Sequence, residues 1–272
     1  MLNKYLLIDG YVHGANVNNS YCVGVPTLPS IWGWLHSMEL KLSSAEPDNE
    51  LMFCGFTVSL NNLSFLNRTS LKQTEKGKVE INHPIIERHK ANFGITLVIE
   101  LEQNNQETNQ EITDKVSSVL TGSRLSGGLL DLKAVTVFEK NSDGLTKAFE
   151  SHPQNAFVLE DMSPFLKGMT GDERLEQIYQ STFLKHYKGS GDFNWFTPVI
   201  NGYHFITKPK ERTWARNNKL HCFAEPSLSY CKAIPVASAI KNLIRTNNEE
   251  TLFFIENATD NSFSISNIKD FS

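Results

Sequence analysis

The stretch Ser123-Arg124-Leu125-Ser126-Gly127-Gly128-Leu129-Leu130 holds the residue types best suited to gripping a ligand. Arg124 brings a permanent positive charge and a planar donor fork. The paired glycines, Gly127 and Gly128, admit positive φ and keep Cβ atoms out of the way of a bulky group. Together they can seat a nucleic-acid backbone. The same pair also suits a helix C-cap followed by a tight turn, and the stretch alone does not separate the two. A second concentration is the basic run at 208–219, where Lys208, Lys210, Arg212, Arg216 and Lys219 face only Glu211. Trp214 sits among them, so phosphate contacts can alternate with a stacking platform. A third is the loop at 14–30, with almost no charge and many Asn, Gly and Pro. Asn16 and Asn18 there can hydrogen-bond sugar, phosphate or base edges, or close Asx turns on their own backbone.

Catalytic patterns are missing. The sequence holds no G-x-S-x-G, H-E-x-x-H or Walker loop, and His83, Glu87 and His89 stand at the wrong offsets for one helical face. His36 falls inside a helical pattern, where a packed or capping role competes with that of a general base. Cys22, Cys54, Cys222 and Cys231 show no C-x-x-C spacing, which points to reduced core thiols and a reducing compartment rather than zinc or a disulfide framework. The expectation is a protein that is not an enzyme and uses neither metal nor cofactor. A net charge of −4 argues against a free-standing, non-specific nucleic-acid binder, although it says nothing about a local basic face. No apolar run approaches a signal-peptide core or a membrane span, so a cytoplasmic location is expected.

The elements that must position these residues follow from periodicity. Tyr5 to Ile8 reads as a buried central strand. Ser30 reads as the cap of a helix carrying Ile31, Trp34, Leu35, Met38 and Leu42 on one face, and Leu51 to Leu60 as a second strand. Residues 62–92 are a polar excursion rich in Lys and Arg, expected as an arm. Phe93 to Glu102 is a strong strand, 108–121 an amphipathic helix with Ile112, Val116, Val119 and Leu120 inward, and 130–139 a further strand. The order β, α, β, β, α, β predicts an α+β, ferredoxin-like domain over 1–150, the arrangement shared by RNA-recognition domains. A smaller α/β region is expected over 151–272. It comprises a short strand at Ala156 to Leu159, a helix from Gly171 to Tyr187 with Leu175, Ile178, Phe183 and Leu184 inward, and a linker at Lys188 to Asp192. Next comes a hairpin turning at Asn201-Gly202, with Pro198 confining its first run to an edge or bulge. Strands near 220–230, 251–256 and 262–268 and a helix at 235–245 complete it. Phe196, Ile200, Phe205, Phe253 and Phe254 offer more apolar surface than this half is expected to bury, which predicts instability without a partner.

Several segments, taken in order, resemble one family. Ala15-Asn16-x-x-x-Ser20, Gly24-x-Pro26 and Gly33-Trp34-Leu35-His36 are similar to its N-terminal run, and Arg124-Leu125-Ser126-Gly127-Gly128 resembles its Arg-Leu-Ala-Gly-Gly loop. Trp195-Phe196-Thr197-Pro198 with Gly202-Tyr203 looks like its Gly-Trp-Leu-Val-Pro and Gly-Tyr segment, and Phe223-Ala224-Glu225 like its Phe-Val-Glu. The family is the handle-binding subunit of the type I-F CRISPR surveillance (Csy) complex, in the RAMP superfamily. Two positions depart from it: Val23 stands where the family has Trp, and Cys231-Lys232-Ala233 replaces its Gly-Glu-Trp. The resemblance implies a non-catalytic subunit that binds the 5′ handle of CRISPR RNA and pairs with the large subunit. It further implies that the subunit caps the backbone filament and supports recognition of target DNA. RNA contacts are then expected at Asn16, Asn18, Arg124, Gly127, Gly128, Trp195, Tyr203, Lys208, Lys210, Arg212, Trp214 and Arg216. Val at position 127 or 128 should weaken RNA binding with the fold intact. The alternative is a RAMP-type endoribonuclease using His36 or His13 as base and Arg124 on the phosphate.

Overall fold

The computed structural model describes residues 2–17, 24–45, 51–66, 71–73, 79–81, 89–104, 107–184, 195–212, 220–246 and 252–267. The first strand, β1 (Leu2–Asn16), is apolar on both faces over its first half. Leu6, Ile8 and Val12 point to one side and Tyr5 and Leu7 to the other, as period-2 alternation requires. The strand is central, flanked by β5 (Lys90–Gln103) and β7 (Gly128–Glu139). On the far side of β5 lies β2 (Leu51–Phe65), whose end pairs Ser64 with Asn92 and Phe65 with Ala91. The ends of the expected arm are therefore part of the sheet. Within the arm, β3 (Leu71–Gln73) and β4 (Val79–Ile81) form a separate ladder.

The sheet does not stop at four strands. It continues through β8 (Phe157–Asp161), β10 (Ala224–Pro235), β9 (Trp195–Phe205), β12 (Ser262–Ser266) and β11 (Ile255–Ala258), while β6 (Arg124–Leu125) closes the opposite edge. The order is β11-β12-β9-β10-β8-β2-β5-β1-β7-β6, ten strands in one antiparallel sheet. The expected ferredoxin-like α+β fold is thus wrong: strand content is 48% against 31% helix, and the sheet curls into a half-barrel. The reason is an open strand edge. β2 would expose unpaired backbone groups if the sheet ended there, and β8 covers it through Ser59↔Val158 and Leu60↔Phe157.

The half-barrel wraps α1 (Leu28–Ala45). Leu28, Ile31, Leu35, Met38 and Leu42 are all buried at helical spacing, whereas Trp34 is only partly covered. The helix begins earlier than Ser30. Thr27 caps it, accepting from Ser30 N through its Oγ1 (3.3 Å), while the Ser30 hydroxyl donates to Thr27 O (2.8 Å). Trp32 Nε1 donates to Glu256 Oε2 (2.6 Å) on β11, so α1 touches the last strand of the sheet. Beside it, α2 (Asn109–Leu120) starts with a reciprocal capping box between Thr108 and Glu111 and buries Ile112, Val116 and Leu120.

The other face is covered at one end by α3 (Ser142–Glu150) and α5 (Val236–Thr246), packed on Tyr5, Leu7 and Val98. Phe253 stacks on Tyr5 (5.9 Å) and Phe254 packs on Phe56 (5.6 Å). Ile200 is also buried, so three of the five residues thought to need a partner are covered by the chain itself. Between β8 and β9 runs α4 (Gly171–Tyr179), which buries Ile178 but leaves Leu175 59% exposed, contrary to the inward position expected of it. Phe183 and Leu184 have no described side chains, and the linker at 188–192 lies outside the described residues. Asn201-Gly202 is not a turn either: β9 continues through both, with a register irregularity at Asn201. Gly202 is there because β12 passes so close that a Cβ would lie 2.1 Å from Phe263 O.

Candidate nucleic-acid interface

The loop around Arg124 resolves into three separate jobs. After Leu120, Gly122 takes the positive φ (73°) that ends α2, so the cap role belongs to it and not to the glycine pair. Arg124 and Leu125 then pair back onto Leu129 and Gly128, joined by a two-residue turn. Its central residues, Ser126 (φ 49°) and Gly127 (φ 79°), both have positive φ, as a type I′ hairpin turn requires. Gly127 faces open space, whereas a Cβ on Gly128 would lie 2.6 Å from Ala15 N and 2.8 Å from His13 O. One glycine is an accessible tip and the other a packing point against β1.

Polar bonds fix this tip. Ser30 Oγ and Ser126 Oγ share a hydrogen bond (2.6 Å), Asn16 N donates to Ser126 O (2.9 Å), and Arg124 Nη1 donates to Gly127 O (3.2 Å). Leu125 is fully buried beneath while the Arg124 side chain is exposed. The structure thus brings Asn16, Arg124, Gly127 and Gly128 together; Asn18 is outside the described residues. Next to them on β1 and β7 lies a strip of which sequence reasoning had singled out only His13. Tyr11 and His13 meet edge to face (4.8 Å), with Lys133 Nζ 6.0 Å from the Tyr11 ring centre. The alternation Tyr11-Val12-His13, polar residues around a buried Val, was the available signal. Asp131, opposite Tyr11, tempers the positive charge.

The second group lies across the sheet on β9 and its continuation. Lys208 and Lys210 are exposed, and Lys210 exchanges backbone bonds with His221 (3.0 and 2.9 Å). Arg212 places its guanidinium 4.7 Å over the ring of Phe223, which is 55% exposed, a cation–π contact. Thr207 Oγ1 accepts from Phe223 N (3.0 Å) and holds that pair in place. Tyr203 lines a pocket of about 220 Å³ together with Lys167, Arg174, Asn201 and Ser227. Lys167 and Arg174 carried no signal in the sequence, because only the fold brings α4 and the segment before it to β9. Trp195 occupies the other end of β9, eight residues and roughly 27 Å from Tyr203 at about 3.4 Å per residue, so one nucleotide cannot touch both. Trp214 and Arg216 lie outside the described residues.

The two histidines considered as bases are placed as follows. His36 Nδ1 lies 3.1 Å from Glu39 on the exposed side of α1, and His13 is held against Tyr11 rather than by a carboxylate. Burial, helped by the charges of Glu102 and Glu100, pushes the Cys54 thiol up to about 11. Cys231 is raised by burial and by Asp161, so neither is a ready thiolate. Among the described residues no three His, Cys, Asp or Glu side chains are grouped to hold a metal ion.

An antiparallel half-barrel closed on one helix, with a fixed arginine hairpin on one flank and a cation–aromatic strip on the other, defines the class of protein. The family model described as CRISPR-associated protein (Cas_Csy2) matches residues 6–185, well over half of the sequence. The chain belongs to that family, and is therefore a component of a type I-F CRISPR-associated Csy complex. The match ends before β9, although β9 to β12 complete the same sheet. No curated protein matches the sequence. Among the described residues no helix is long and apolar enough to cross a membrane.

Proposed function

We propose that this subunit binds the 5′ handle of CRISPR RNA without cleaving it, pairs with the large subunit, and joins the backbone subunits so that the complex can engage target DNA. The observation that carries the RNA reading is Arg212 lying over the half-exposed ring of Phe223 with Lys208 and Lys210 alongside. Alternating cations and aromatic faces suit a single strand, whose phosphates and unstacked bases are both accessible. The net charge of −4 fits such local recognition better than general affinity for polyanions. The non-catalytic reading is supported by the placing of His13, which packs against the Tyr11 ring rather than a carboxylate, and of His36, whose carboxylate partner Glu39 lies with it on the exposed side of α1.

The test is titration of handle RNA with the full chain at several salt concentrations. Combined replacement of Lys208, Lys210 and Arg212 by Ala should weaken binding and flatten the salt dependence by about 0.7 in slope for each phosphate no longer neutralised. An unchanged slope would remove the strip from the interface. Incubation of labelled repeat RNA in chelator should leave it intact; discrete products would favour the endoribonuclease.

A further inference from the structure

At the Trp195 end of β9 lies a pocket of about 280 Å³, formed where β2 runs on past the start of β8. Val25, Leu60, Leu159 and Ala233 contribute its apolar lining, and no charged side chain lines it. Phe157 and Trp195 meet at its mouth as a stacked pair, ring centres 6.2 Å apart and planes within 12°. Both are accessible, at 39% and 55% exposure. We infer that this pocket receives one unpaired nucleobase of the bound RNA, stacked against Trp195 and read along its edge by Asn62 and Asn155. The inference rests on the RNA-binding reading above and deepens it.

Size, polarity and hydrogen bonding agree on this occupant. The volume falls below the roughly 300–1,000 Å³ of pockets for drug-sized ligands, which suits one planar ring system. A lining without charge rejects phosphate and favours a neutral ring. Two exposed amides stand at the rim, and Asn155 Nδ2 donates to Asn62 Oδ1 (3.1 Å). That bond leaves the NH₂ of one amide and the carbonyl of the other wholly outside it, so a donor and an acceptor stand side by side whichever way the pair is turned. A donor next to an acceptor is the pattern presented by the edges of bases. Asn62 also holds φ at 50°, within the irregular register between Asn61 and Ser64, a left-handed conformation that Asn tolerates better than most residues.

The experiment uses the assembled complex and a set of handle RNAs, each made abasic at one position. Trp195→Ala should weaken binding of intact RNA roughly 5- to 150-fold, the range of base–aromatic stacking. At one abasic position the effect should vanish, because the base that Trp195 holds is already gone. Asn155→Ala, a change in an exposed side chain, should alter the preference among the four bases at that same position and no other. If Trp195→Ala costs the same factor against every abasic RNA, or if it releases the large subunit and leaves RNA affinity unchanged, the pocket does not hold a base. Binding of RNA by the wild-type complex with no such coupling would sink the pocket alone. Failure of the wild-type complex to bind handle RNA would sink both readings.

Discussion

A valine at position 128 would bring its Cβ against the Ala15 amide nitrogen, where 2.6 Å is available. The clash is with backbone, which cannot swing aside, so Gly128→Val should destabilise the fold by about 2 kcal/mol or more. Gly127→Val meets open space and bears only the strain of a β-branched residue at φ 79°, about 1–2 kcal/mol. Urea denaturation of the two variants should therefore separate them. The expectation that either substitution leaves the fold intact is corrected for Gly128. His152 gives a second test at this scale. Burial lowers its pKa, and it lies against Phe149 with Nδ1 2.9 Å from Ala148 O. Between its unfolded value of about 6.5 and the lower folded value, the unfolded chain binds more protons. Stability must then fall as pH falls through that window. Denaturation midpoints at pH 7.5 and 5.5 should differ more in the wild type than in His152→Gln.

At the scale of elements, caps and faces can be tested separately. The Thr108 hydroxyl accepts from Glu111 N (3.3 Å) while Glu111 accepts in return from Thr108 N (2.8 Å). Thr108→Ala should cost about 1 kcal/mol, read as a lower Tm. Because α2 leads through Gly122 directly into the Arg124 hairpin, faster amide exchange at Ser123, which donates to Leu120 O (2.9 Å), and at Leu130, which donates to Ser123 O (3.0 Å), should accompany the lower Tm. Two leucines measure how faces are used. Leu35 is fully buried against the sheet, and Leu35→Ala should cost about 2–5 kcal/mol, whereas Leu175→Ala on exposed α4 should stay within about 0.5 kcal/mol.

For the whole molecule, the unequal ladders predict unequal stability. β5 is paired along most of its length on both sides, with β1 and β2. Its central amides should exchange only on global unfolding. β11 pairs with β12 over four residues at the end of the order and should exchange first. Hydrogen exchange read by mass spectrometry checks this ranking; equal protection would mean that α1, through Trp32 and Glu256, locks the sheet into one unit.

Local codes determined which segments became regular. The apolar run Tyr5 to Ile8, the stripe of Ile112, Val116 and Leu120, and the Arg-Leu-Ser-Gly-Gly run were each legible, because burial pattern, side-chain period and turn stereochemistry act over a few residues. The ordered motifs also carried the family. Tertiary structure alone decided which strands became neighbours. β8 joins β2 from far along the chain, and nothing within either strand encodes the partner that covers its edge. The same long-range pairing made Gly202 a point of close approach for β12 instead of a turn, and packed Gly128 tightly against β1. It buried Phe253 and Phe254 on strands from the other half of the sequence. It also assembled Asn62, Asn155, Phe157 and Trp195 around one pocket, although only Trp195 had stood out in the sequence, since a cavity is a property of how surfaces meet and not of any one segment.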